Sequence, residues 1–96
     1  MAAYAIFLRD ETTDPRELEI YAAKAPAANE GHLLSPLVIY GTHEVLEGQA
    51  TEGVVVLRFP SMDEARTWYH SPAYQEAAAH RHAGSSYRVI LVEGVD

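Results

Sequence analysis

The sequence predicts an α+β domain of βαββαβ order built on a four-stranded antiparallel sheet. Three observations carry this. Four short apolar runs contain the period-two alternation of strands. The segments after the first and third open with helix-start signals. Each half of the chain therefore reads strand, helix, strand, as the split βαβ arrangement of a ferredoxin-like fold requires.

The first strand is Ala3 to Arg9, with Tyr4, Ile6 and Leu8 on one side and Ala5 and Phe7 on the other. Asp14-Pro15-Arg16-Glu17 then supplies an N-cap, a proline at the first helical position and an acid three residues after the cap. Leu18, Tyr21, Ala22 and Ala25 form one apolar stripe, expected to lie on the sheet, and Pro26 disrupts the pattern near its end.

Leu33 to Tyr40 reads as the second strand, where Pro36 confines pairing mainly to the residues after it, or to a sheet edge. Gly48 to Gly53 is a hairpin loop leading into the third strand, Val54 to Phe59. Capping signals at Ser61-Met62-Asp63-Glu64 and Ser71-Pro72 start two short helices, or one broken helix, ending near Ala83. Tyr87 to Glu93 is the fourth strand, and the whole is expected to be one domain over residues 1–96.

Both faces of this sheet are apolar. Val54 and Val56 alternate with Val55, Leu57 and Phe59, and Ile90 and Val92 with Val89 and Leu91. Helices cover one face of such a sheet, and a face left in water normally carries polar residues. Each large aliphatic side chain left exposed forfeits about 1.5–3 kcal/mol. A homodimer paired sheet to sheet is the expected remedy.

The composition is ordinary for a globular protein, 48% hydrophobic and 22% charged. Seven Lys and Arg against fourteen Asp and Glu give a net charge of −7, which opposes binding to nucleic acid or anionic membranes. Absence of Cys removes disulfides, thiolate metal sites and thiol nucleophiles. No signal peptide or membrane-length apolar run is visible, so a cytoplasmic location is expected. No phosphate loop, zinc-protease motif or calcium loop occurs, and neither a metal nor a cofactor is expected.

Several motifs together carry a resemblance: Glu47-Gly48, Phe59-Pro60-Ser61 with Ala65 and Trp68-Tyr69, Ser71-Pro72-Ala73-Tyr74-Gln75, Arg81, and Val92-Glu93-Gly94. With these the chain resembles the domain-of-unknown-function 1330 family, over nearly its whole length. The resemblance implies membership of the dimeric α+β barrel group, with a pocket in each subunit between helices and sheet. Relatives in that group include cofactor-independent monooxygenases, muconolactone isomerase, polyketide cyclases and haem-using chlorite dismutases, so the fold alone names no reaction. Two departures stand out. Tyr40-Gly41-Thr42-His43 lacks the arginine usual before the glycine-rich loop, and His32 replaces the second of a common glycine pair.

Among individual residues, Tyr74, Ala77, Ala78 and Arg81 share one helical stripe, which carries a guanidinium to an apolar inner face. A buried arginine needs an anion. That anion is either a ligand carboxylate or enolate, or a structural partner such as Glu47 or a backbone carbonyl. His80 is a candidate general base; its spacing from His82 places the two on different helix faces, unlike a chelating pair. His43 is a second candidate base, beside Tyr40 and four residues before Glu47, although Tyr40 and His43 converge only if the chain bends at Gly41. Trp68, Tyr69 and Tyr74 form either a ligand wall or core packing. Ser71 is explained by capping.

These features predict a small cofactor-independent enzyme acting on an apolar carbonyl or aromatic compound. Its catalytic candidates are His43, His80 and Arg81, and its ligand-binding candidates are Tyr40, Glu47, Trp68, Tyr69 and Tyr74. The alternative is a noncatalytic dimeric protein that binds a small ligand or is associated with stress.

Overall fold

The computed structural model describes residues 1–95 and follows the predicted order. β1 (Ala3–Thr12), α1 (Pro15–Ala28), β2 (Ser35–Ile39), β3 (Gly53–Phe59), α2 (Met62–Tyr69), α3 (Pro72–Gly84) and β4 (Ser85–Glu93) form a four-stranded antiparallel sheet in the order β2-β3-β1-β4. The fold is α+β and ferredoxin-like. Among the described residues, no helix is long and apolar enough to cross a membrane.

Register separates the two faces as alternation dictates. Phe7 lies between Val55 and Val89, and Ile6 between Val56 and Ile90. The first set faces the helices. Its small members Ala3 and Ala5 let α2 bring Trp68 down against Phe59 and Phe7, at ring-centroid distances of 5.3 and 6.2 Å. Ser61 and Ser71 cap α2 and α3 as expected, each hydroxyl accepting the backbone N–H three residues on.

Three local expectations are corrected. β2 is shorter than 33–40, because a register shift between Pro36 and Val38 interrupts the ladder where proline lacks a donor, and the strand lies at the sheet edge. α1 continues through Pro26 to Ala28. That proline is near the helix end, and its preset φ suits the last turn there.

The third correction matters most for function. The stripe Leu18, Tyr21, Ala22 and Ala25 does not pack on the sheet: α1 rests on α3, buries only Ala28 fully, and turns its stripe toward an open space above β1 and β3.

Gly84 sets the seat of α1 on α3. Its carbonyl accepts the backbone N–H groups of Thr13 and Asp14 at 2.8 and 3.0 Å. A Cβ at this position would stand 2.7 Å from the Asp14 carbonyl oxygen and 2.8 Å from the Glu17 Cβ. Gly84→Ala should therefore push α1 away from α3, at a cost of about 1–3 kcal/mol. Thermal denaturation should register a melting temperature lower by roughly 4 °C or more; an unchanged value would mean that α1 is not seated there.

Candidate functional site

The space left between α1 and the sheet is a cavity of about 320 Å³, near the lower end of the ~300–1,000 Å³ typical of small-molecule pockets. Its floor is Phe7, Val55 and Leu57 from the sheet; its roof is the α1 stripe with Pro26; Trp68 and Tyr74 close one end and Ile39 and Tyr40 the other. The lining is mostly apolar and aromatic, with a few polar tips.

Beside this cavity lies Arg81, only 2% exposed. α3 places it there through the stripe that also buries Tyr74, Ala77 and Ala78. Among the described residues, no carboxylate meets it. Its Nε and Nη2 groups have no hydrogen-bond partner, and its guanidinium sits among the rings of Tyr87, Phe7 and Tyr21, at 5.2, 5.6 and 5.9 Å from their centroids. Burial works against its charge, but the nearby hydroxyls of Tyr74 and Tyr21 outweigh this and hold its pKa above the ordinary value. Arg81 is thus a cation inside the protein with donors to spare.

A second arginine stands in the cavity wall. Arg9 follows Ala3, Ala5 and Phe7 on the helix side of β1, ion-pairs with Glu52 at 3.1 Å, and lies 4.8 Å from the centre of the Tyr40 ring. Thr12 fixes Glu52 from the other side with a hydroxyl bond of 2.6 Å, which together with Arg9 holds the carboxyl below its usual range.

Four tyrosines carry the remaining polar tips, in two pairs. The Tyr21 and Tyr74 hydroxyls are 2.8 Å apart, and those of Tyr40 and Tyr87 are 2.5 Å apart. Burial raises the pKa of Tyr21, Tyr40 and Tyr74, so these hydroxyls keep their protons. Tyr40 holds its place by an unusual backbone: its φ is +51°, in the left-handed region, and its ring lies where a Cβ on Gly53 would be, 2.5 Å from its Cδ1. The chain turns at Tyr40 itself rather than at Gly41.

The sequence-predicted residues divide accordingly. Tyr40, Trp68 and Tyr74 line the cavity, and Arg81 lies directly behind Tyr74 and Tyr21. Tyr69 packs against Trp68 and Tyr74 without reaching the wall. Glu47 is exposed in the loop after β2 and does not serve as a counter-ion for Arg81. His43 lies outside the wall, donating from Nε2 to the Thr51 carbonyl at 3.0 Å. His80 also lies outside, its Nδ1 2.6 Å from Glu17 Oε2, joining α3 to α1. No imidazole among the described residues therefore lines the cavity. Among the described residues, no three His, Cys, Asp or Glu side chains converge as a metal site.

Arg9, Tyr21, Asn29 and Tyr87 were not singled out by the sequence reading. Parity was the available signal for two of them: Arg9 and Tyr87 hold the inward register of their strands, and Tyr21 is the one hydroxyl on the α1 stripe.

Solved structures share this architecture. A protein of unknown function from Rhodopseudomonas palustris superposes with a TM-score of 0.76 at 20% identity, over 99% of this chain and 83% of that one. A dimeric protein of unknown function and ferredoxin-like fold from Bacteroides fragilis gives 0.64 at 14%, over 97% and 96%. A cofactor-independent oxygenase from Streptomyces nogalater gives 0.58 at 16%, over 99% and 92%. No curated protein sequence matches the chain. The model of the family described as "Domain of unknown function (DUF1330)" matches residues 2–95, so this protein belongs to that family.

Proposed function

We propose that the cavity is the site of a small cofactor-independent enzyme acting on an apolar carbonyl or aromatic compound, by proton abstraction, isomerisation, cyclisation or a lyase-type step. The observation that carries this reading is Arg81: a guanidinium 2% exposed, with two nitrogen groups unsatisfied, beside an aromatic cavity and with no carboxylate among the described residues to neutralise it. Such a group is costly to the fold and suited to negative charge that develops on a substrate. The fold shared with a cofactor-independent oxygenase supports the same reading by analogy.

Removing a structural arginine and removing a functional one have opposite signatures. Arg81→Met keeps the volume of the side chain and abolishes the buried unpaired charge, a change that is often neutral or stabilising by about 1–4 kcal/mol. The variant should melt at the same or a higher temperature while losing turnover or ligand binding. Marked destabilisation would instead make Arg81 a structural residue.

The base is tested separately. His43 and His80 are proposed for that role by sequence, yet both lie outside the cavity wall. Deuterium exchange from solvent into a candidate ketone or lactone, followed by NMR, should proceed at equal rates in His43→Ala and His80→Ala; exchange lost in either variant would assign that imidazole as the base.

A second reading has one observation in its favour: among the described residues, no carboxylate or imidazole lines the cavity, so a ligand could be held without being turned over. Thermal-shift hits among metabolites that bind and persist unchanged would favour this noncatalytic binding protein.

We also propose a cytoplasmic homodimer joined through the helix-free face of the sheet. Ile6, Leu8, Val54, Val56, Ile90 and Val92 share that face, with Ile90 51% and Val92 42% exposed in the single chain. The Arg88–Asp10 ion pair, at 2.8 Å, stands at one end of the patch. An apolar centre with charge at its edge is the usual anatomy of a protein interface. Sedimentation at micromolar concentration should give a dimer for the natural chain and a monomer for Ile90→Lys; a natural chain that sediments as a monomer would overturn the assembly.

A further inference from the structure

We infer that residues 41–50, between β2 and β3, are a strap that closes over the mouth of the cavity, with Val45 and Leu46 as its apolar tip. This gives the cavity described above a moving part and rests on that reading. The connection from β2 to β3 runs over residues 40–52 with no secondary structure of its own. Such a length is uncommon inside a compact domain, and it usually serves binding or catalysis or links separate units. Here it joins neighbouring strands of one sheet, so it links nothing separate.

Its two feet are fastened and its middle is not. At the first foot the Tyr40 backbone N–H donates to the Val54 carbonyl at 2.9 Å. At the second, the Glu52 backbone N–H and the Thr51 hydroxyl donate to the Arg9 carbonyl at 2.6 and 3.1 Å. The His43 imidazole bridges the feet through the Thr51 carbonyl. Beyond it, residues 44–50 make no hydrogen bond among the described residues, and the whole of 41–50 is exposed. Gly41 and Gly48 flank the tip, each with open space where a Cβ would stand, and Gly48 holds a φ of +92°. Hinges absorb their change of backbone angle at a few positions of this kind.

The tip is apolar, although water surrounds it. Leu46 is 85% exposed and Val45 43%. The mouth is apolar too. Ile39 and Tyr40 line the cavity yet are 57% and 43% exposed, and across from them Ala22 and Pro26 of α1 are lining and exposed as well. Two exposed apolar surfaces on one tether gain by covering each other. Leu46 follows Tyr40 by six residues, a reach of up to about 20 Å. That exceeds the ~10–12 Å width of the helix it has to meet. Closure shuts water out of the cavity, which strengthens the field of Arg81 on whatever is bound there.

Trp68 is the only tryptophan of the chain and closes one end of the cavity, so nitrobenzene bound there quenches its fluorescence. Stopped-flow quenching of the full chain reads both entry and release. Leu46→Ser leaves the cavity wall intact and should speed release about tenfold or more. Closure itself is read by a cross-link, since the natural chain has no cysteine. The double variant Leu46→Cys with Ala22→Cys, treated with oxidised glutathione, can form a disulfide only where the two Cα atoms come within about 7 Å. A bond within one chain, formed faster when nitrobenzene is present, is the expected result. A bond between two chains would overturn this inference and assign the mouth to the strap of a second copy. Release unchanged in Leu46→Ser, with no disulfide formed, would also overturn it and leave an open cavity that still binds. Trp68 fluorescence unquenched by millimolar nitrobenzene would remove the cavity reading itself, and the strap with it.

Discussion

Burial of a guanidinium with no carboxylate beside it among the described residues is the constraint around which the rest of this structure is arranged. Taking an ion out of water costs several kcal/mol even after the surroundings relax. Arg81 recovers part of that from the π-faces of Phe7, Tyr21 and Tyr87 and from the Tyr74 hydroxyl. These partners come from β1, α1, β4 and α3, so one charge meets elements that are distant in sequence. The rings are also the wall of the cavity. The same contacts that make the cation tolerable inside the fold bring its field to the place where a ligand would lie.

The cavity exists because α1 is held against α3 rather than against the sheet. The Gly84 carbonyl, the His80–Glu17 contact and the Tyr21–Tyr74 bond all fasten α1 to α3, and the lack of a side chain at Gly84 fixes how near the two helices come. Short alanines on the α1 stripe then fall short of the sheet, and the space beneath them stays open. Hydrophobic spacing on a helix normally signals a packed core; here the same spacing builds a ceiling.

Much of the fold was legible because local signals agreed with each other. Caps at Asp14, Ser61 and Ser71 and the strict alternation around Phe7, Leu57 and Val89 each point to one answer, and the helix stripe correctly carried Arg81 inward. The site was legible in part. Trp68, Tyr74 and Tyr40 could be named from their types and positions, whereas Arg9 and Tyr87 could be placed only once the register was known, since an arginine at the end of an apolar strand reads equally well as a solvent-exposed terminus. His80 shows what spacing leaves out. A histidine on a helix suggests acid–base chemistry, but its partner Glu17 lies 63 residues away in sequence and cannot be guessed from spacing. Pro26 was misleading for a similar reason, because a proline in the last turn has few interactions left to break.

The left-handed turn at Tyr40 ties side-chain chemistry to main-chain shape in a way no other wall residue shares. Its ring occupies the volume vacated by Gly53, so the outer rim is a matched pair of positions, one needing an aromatic group in strained backbone and the other needing no side chain at all. Tyr21, opposite, stands on ordinary helical backbone. Diversification of what this chamber admits is therefore more open along α1 than at the rim: a new side chain on the helix leaves the main chain in ordinary helical conformation, while one at the rim must also re-route the polypeptide.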